Sequence, residues 1–183
     1  MKVFFLTGNK NKLKEANAII GDSIELENKK IDLDEIQSTL VEEVIKHKVI
    51  QAYNIIKEPC IAEDTGLYIK NMNGFPGALI KYFFDKLGNK GISKFNGGSN
   101  AYAETIIGYH DGEMVHIFKG RINGSISKKP KGEGFGWDPI FIPKIRNKNN
   151  TNTFAEMTEE EKNKISMRAK AFKKFKTFIE TKK

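Results

Sequence analysis

Residues 1–15, MKVFFLTGNKNKLKE, decide the fold class. Val3 to Leu6 is a short apolar run that fits a buried strand, and it breaks at once into Thr7, Gly8 and Asn9. Beyond that turn Leu13, Ala16, Asn17 and Ile20 fall on one face at helical spacing. A strand that turns on a glycine into an amphipathic helix is the opening unit of an α/β protein. Such a turn exposes backbone N–H groups at the positive end of the helix dipole, a setting that suits phosphate, and Lys10, Lys12 and Lys14 add charge. On these residues alone two readings stay open, an anion-binding turn or an ordinary strand–helix turn with solvated lysines. The pattern G-x-x-x-x-G-K-[ST] is absent, which disfavours P-loop ATPases.

Outward from this unit, helical spacing returns at Val41, Val44, Ile45, Ala52, Ile55 and Ile56, and again at Ile165, Ala169, Phe172, Phe175 and Ile179. The last helix is expected to begin at TEEE, with Thr158 as cap and Glu161 closing a capping box. Strands are expected at 24–29, at 61–62 continuing after a turn into 67–69, at 101–109 and at 114–119, with HDGE at 110–113 as a hairpin turn on its Asp-Gly pair. Strand and helix alternate early and the middle is a meander, so the expected class is mixed α/β with two lobes and a cleft. Residues 1–183 are read as a single domain, with 147–152, NKNNTN, as its most mobile loop.

Composition sets bounds on function. The 183 residues are 39% hydrophobic and 10% aromatic, enough to bury a core. No run reaches the roughly 18 apolar residues of a membrane span, and the opening residues lack the apolar region and cleavage site of a secretory leader, so a cytoplasmic protein without membrane partners is expected. The single Cys60 cannot form an internal disulfide and reads as a small core residue. Thirty-one Lys and Arg against 23 Asp and Glu give a formal charge of +8, which favours a polyanionic partner without choosing one. Much of the excess lies at 168–183, where lysines alternate with Phe172, Phe175 and Phe178 as in a helix with one apolar stripe and one wet basic face.

Three segments could carry chemistry. In IAEDTGLYI, 61–69, Glu63 and Asp64 end an apolar run; they read either as oxygen ligands for a hard divalent cation or as a turn in which Asp64 bonds backbone amides. Glu35, in the acidic group DLDE at 32–35, is a candidate further ligand, unless that group is a solvated loop. In GEGFGWDPIFIP, 132–143, glycines bracket Phe135 and Trp137 before Asp138 and Pro139, a rigid aromatic loop that suits a purine ring or core packing.

Taken in chain order, TGNKNKLKE, AEDTGL, GFPGALIKYF, FGWDPIFIP and FAEMTEEEKN make the sequence resemble the inosine triphosphate pyrophosphatase family nearly end to end. The resemblance implies an elongated central mixed β-sheet with two α/β lobes flanking a substrate cleft, usually as a homodimer. It also implies hydrolysis of ITP, dITP and XTP to the monophosphate and pyrophosphate, with Mg²⁺ as cofactor and water attacking the α-phosphorus. By the same resemblance Thr7, Gly8, Asn9, Lys10, Asn11 and Lys12 hold phosphates, and Lys48, Lys81 and Lys162 add basic contacts. Asp64 is metal ligand and proposed proton acceptor, Glu35 the second metal carboxylate, and Thr65 lies next to the substrate. Phe135, Gly136, Trp137 and Asp138 form the base loop.

One position departs from the family pattern. Where the family reads Ser-His-Arg, this chain has Ser166, Met167 and Arg168. Arg168 keeps a donor for the 6-oxo oxygen of hypoxanthine or xanthine, which adenine replaces with an amino group. Met167 packs on a purine but has no ring N–H, a loss of about 1 kcal/mol that points to relaxed selectivity or a different substrate. Two other readings compete. A basic nucleic-acid-binding module would bind in a steeply salt-dependent way without turnover, but no nucleic-acid motif is present and no such partner is expected. Related pyrophosphatases for modified pyrimidine or methylated nucleotides usually pair serine with arginines after the first strand, which TGNKNK does not.

Overall fold

The computed structural model describes residues 2–182. In chain order it contains β1 (Lys2–Leu6), α1 (Lys10–Ile20), β2 (Glu25–Asn28), α2 (Val41–Ile56), β3 (Cys60–Ile69), β4 (Pro76–Gly77), α3 (Ile80–Asn96), β5 (Asn100–His110), β6 (Val115–Ile126), β7 (Phe141–Pro143), α4 (Glu159–Ile165) and α5 (Met167–Thr181). The strands form one mixed sheet in the order β2-β1-β3-β5-β6-β7, with β4 beside β3. β1 runs parallel to β2 and β3, and the remaining pairs are antiparallel. The class is mixed α/β, as the opening strand–turn–helix indicates.

The apolar run of β1 is continuous because both of its faces are covered. Val3 and Phe5 join Ala16 and Ile20 of α1 and Phe172, Phe175 and Ile179 of α5 on one face. Phe4 and Leu6 meet Val41, Ile45, Val49 and Ala52 of α2 on the other. Cys60 is wholly buried in this second cluster, and burial pushes its thiol up to about 11. At the far halves of the long strands a third cluster gathers Leu67, Ile69, Ile80, Ile92, Ala103, Ile122, Phe141 and Phe154. β3, β5 and β6 thus run through two packed regions.

Several elements differ from their sequence expectation. β3 is unbroken, with Asp64, Thr65 and Gly66 paired to Ile106, Thr105 and Glu104 of β5; ten consecutive pairs override the local turn signal of Asp-Thr-Gly. β6 continues to Ile126 because β5 pairs with it as far as Ser125 and β7 pairs with its last three residues. α3 had no clear sequence signal, since Gly88 and Gly91 interrupt its apolar spacing. The final helix is two. Thr158 and Glu161 form the expected capping box on α4, but Ser166 is extended, ends α4 and caps α5 by accepting from Ala169 N–H. The loop 147–152 lies outside helix and strand, and Asn150 donates from it to the Pro143 and Asn152 carbonyls.

The lysines of α5 lie on a largely exposed face opposite its apolar stripe, as expected, and three of them also bond neighbouring backbone. Lys170, Lys174 and Lys176 donate to the carbonyls of Arg121, Lys119 and Ile20 at 2.9, 2.7 and 2.9 Å. No helix among the described residues is long and apolar enough to cross a membrane.

Candidate active site

The site opens where one edge of β3 loses its partner. β1 pairs with β3 only as far as Leu6 and Ala62, and β4 takes up the same edge only from Leu67 and Gly77. Residues 63–66 lie between these pairings, and the chain that leaves β1 as Thr7, Gly8 and Asn9 borders the gap. Lys12 on α1 reaches across, its Nζ donating to the Glu63 carbonyl at 3.1 Å. A cavity of about 810 Å³ occupies the gap and extends to α3, the 135–138 loop, α4 and α5.

Strand alternation divides the two adjacent carboxylates. Asp64 faces a lysine-rich end, with Lys48 Nζ at 3.5 Å and Lys12 Nζ at 3.6 Å. Lys48 also pairs with Glu35 at 2.5 Å, so one ammonium joins two carboxylates. Burial works against both charges of that pair, yet the contacts win: Lys48 holds the Glu35 carboxyl below its usual range, and Asp64 together with Glu35 holds the Lys48 ammonium above its own. Lys81, Lys30 and Asp32 complete this end. At the turn, Asn9 caps α1 by accepting from Asn11 N–H and Lys12 N–H. The cap consumes two backbone donors that the sequence suggested for a phosphate.

Glu63 points the other way, into a buried ionic network that Lys12 Nζ, 3.6 Å from its carboxylate as from that of Asp64, joins to the lysine-rich end. The Glu63 side chain is fully buried and receives Arg168 Nε and Nη2, each at 2.9 Å. Arg168 Nη1 bonds Glu15 on α1, which also receives Lys162 at 2.8 Å, and Lys162 reaches Asp138 at 2.6 Å. Burial would raise the Glu63 carboxyl, but Arg168 and Lys12 bring it down to about 2. For Asp138 burial prevails over Lys162 and its carboxyl is pushed up. Trp137 packs edge-on to Phe141 with centroids 5.6 Å apart, and Met167, 2% exposed, joins the same apolar cluster. Phe135 stands more open at 36% exposure.

The cavity wall brings together Thr7, Gly8, Asn9, Lys12, Glu35, Lys48, Asp64, Thr65, Lys81, Phe135, Gly136, Trp137, Asp138, Lys162, Met167 and Arg168. Lys10 and Asn11 are not part of it. The first helical turn rotates them to solvent while Lys12 turns inward. Sequence reasoning assigned no site role to Glu15 and offered Glu63, with Asp64, as an oxygen ligand for a divalent cation; the fold instead brings both Glu15 and Glu63 to Arg168.

Among the described residues no group of three or more His, Cys, Asp or Glu could hold a metal by itself. The pair Glu35 and Asp64 on an open cavity does not make a closed zinc site. It fits a hard cation that takes one or two carboxylates and fills its shell with phosphate oxygens and water.

The Ham1 family model matches residues 3–178. The sequence is 42% identical to "Inosine triphosphate pyrophosphatase 2" of Trypanosoma cruzi, covering 93% of this chain and 88% of that one. It is 43% identical to the "dITP/XTP pyrophosphatase" of Methanopyrus kandleri, covering 96% and 94%. The fold is similar to that of the Staphylococcus aureus Ham1 protein, with a TM-score of 0.76 at 25% identity over the whole of both chains.

Proposed function

Since the chain belongs to the Ham1 family, we propose that it hydrolyses non-standard purine nucleoside triphosphates, ITP, dITP and XTP, to the monophosphate and pyrophosphate. The observation that carries this reading is a continuous cavity with a lysine-rich end around Asp64 and an aromatic end around Trp137. A nucleotide matches it with phosphates at the first end and base at the second. Similarity to relatives named for ITP and for dITP/XTP supports the choice of base.

At the lysine end Lys12, Lys48 and Lys81 spread the charge of the triphosphate, and Thr7, Gly8 and Asn9 contact its oxygens. Glu35 and Asp64 would hold Mg²⁺, which when bound supplies neutralisation of the leaving pyrophosphate and polarises phosphate oxygens. Asp64 orients the attacking water and accepts its proton, a role its position on the cavity wall allows. Lys10 and Asn11 are turned to solvent off the cavity wall, and Asn11 supports the turn through its N–H to Asn9 Oδ1.

At the aromatic end Phe135 and Trp137 pack on the purine. Three of the five N–H donors of Arg168 are already taken by Glu63 and Glu15. The remaining donors face a 6-oxo oxygen favourably and adenine poorly. Met167 contributes apolar contact in place of a ring donor. By the same family resemblance residues 1–183 form one catalytic domain, which works as a homodimer in the cytoplasm.

The test is product analysis with purified protein and Mg²⁺, comparing ITP, XTP, GTP and ATP with an EDTA control. The expected result is metal-dependent pyrophosphate release from ITP and XTP, at least about tenfold faster than from ATP, as one discriminating polar contact allows. Orthophosphate in place of pyrophosphate, or no turnover of any of the four, contradicts the reading.

A further inference from the structure

α3 serves both ends of the cavity. Its first half contributes Ile80, Lys81, Phe84 and Asp85 to the wall. Gly88, at φ 59° and ψ 179°, then breaks the helical path in a conformation that side chains rarely adopt. Just beyond the break Asn89 meets the aromatic loop from behind, its Nδ2 donating to the Gly136 carbonyl at 3.0 Å. Gly136 stands between Phe135 and Trp137 with φ 58°, so this bond holds the hinge of the loop.

The Asn89 amide is there for its donor. Its Oδ1 is buried with no hydrogen-bond partner among the described residues. Turning the amide over would set one acceptor against another, and an apolar side chain would avoid the unpaired oxygen altogether. Asn89 does not line the cavity, so any influence on a ligand passes through the loop.

We propose that Asn89 is a positioning residue for base recognition, fixing the Phe135–Trp137 loop through the break in α3 and tying it to the helix that carries Lys81. The proposal rests on the reading of the aromatic end as the purine site. Asn89 acts on the binding of the base and leaves the reaction at the phosphates to the lysine end.

The test compares Asn89→Asp, of equal size but without the donor, and Asn89→Ala with wild type. Trp137 is the only tryptophan in the sequence, so its emission reports on the loop without any nucleotide. The expected result is a shifted Trp137 emission and a KM for ITP raised about fivefold, the size of one hydrogen bond. kcat should stay within about twofold, the signature of lost uniform binding. Asn89→Asp should exceed Asn89→Ala, because it sets a carboxylate against the carbonyl, whereas loss of packing alone would give the opposite order. Wild-type emission and KM in Asn89→Asp, or a fall in kcat at constant KM, overturns the proposal. If the wild-type protein does not turn over ITP, the functional reading fails, and the emission comparison still decides whether Asn89 positions the loop.

Discussion

Glu63 and Asp64 are neighbours on one strand, yet the two ends of the cavity they serve follow opposite rules. At the aromatic end the charges are paired before any ligand arrives: Glu63 and Arg168 have side-chain exposures of 0% and 3%, and their partners Glu15, Lys162 and Asp138 extend the network. At the lysine end Glu35 is 47% exposed and the contacts to Asp64 are 3.5 and 3.6 Å. A surface that must tell one base from another gains from being fixed in advance, because correct and incorrect ligands then meet the same donors. Charges that must accompany a triphosphate, a cation and a departing pyrophosphate are better left free to regroup. Strand periodicity is the simple device that lets adjacent residues take different parts.

The sharpest way to break this comparison is to neutralise each carboxylate in turn. Asp64→Asn is expected to lower kcat for ITP by at least about a hundredfold, with a melting temperature close to wild type; turnover assays and thermal denaturation together check it. Glu63→Gln is expected to do the reverse in kind. It leaves Arg168 buried without its main counter-charge, a loss of about 3–5 kcal/mol in stability, measurable by urea unfolding. Equal effects of the two changes on stability would erase the distinction.

Much of the lysine end was legible in the sequence because its residues lie in short local motifs: the turn after β1, Asp64 at the end of an apolar run and the acidic group at 32–35. Local signals also misled there. Asp-Thr-Gly reads as a turn, but pairing with β5 keeps β3 straight, and that straightness sends the two carboxylates to opposite faces. The buried network was not legible, since Arg168 meets Glu63 and Glu15 across 105 and 153 residues of chain. The break at Ser166 was hidden by helical periodicity on both of its sides, and it separates the helices that carry Lys162 and Arg168.

Smaller effects sharpen the comparison further. Burial disfavours the ionised Glu15, but Arg168 and Lys162 more than offset it and hold its carboxyl below the ordinary value of 4.5. Its folded pKa is therefore depressed, so its contribution to stability is complete above about pH 4.5 and is lost as pH falls through the folded value. Glu15→Gln should accordingly show a shallower acid limb than wild type in unfolding measurements below pH 4.5; an identical limb would show that the network does not govern acid stability. The smallest expected change is Gly136→Ala. A Cβ there meets nothing within 4 Å among the described residues, so the cost is the left-handed backbone alone, about 1 kcal/mol, with a modest rise in KM for ITP.

The division of labour between the two ends is tested most directly by equilibrium binding of ITP and ATP to Asp64→Asn, followed through Trp137 fluorescence. The account predicts that this protein, although it no longer turns nucleotide over, still binds ITP more tightly than ATP by the ratio found for the wild-type protein. Equal affinity of Asp64→Asn for the two nucleotides would contradict it, because base choice would then depend on the lysine end.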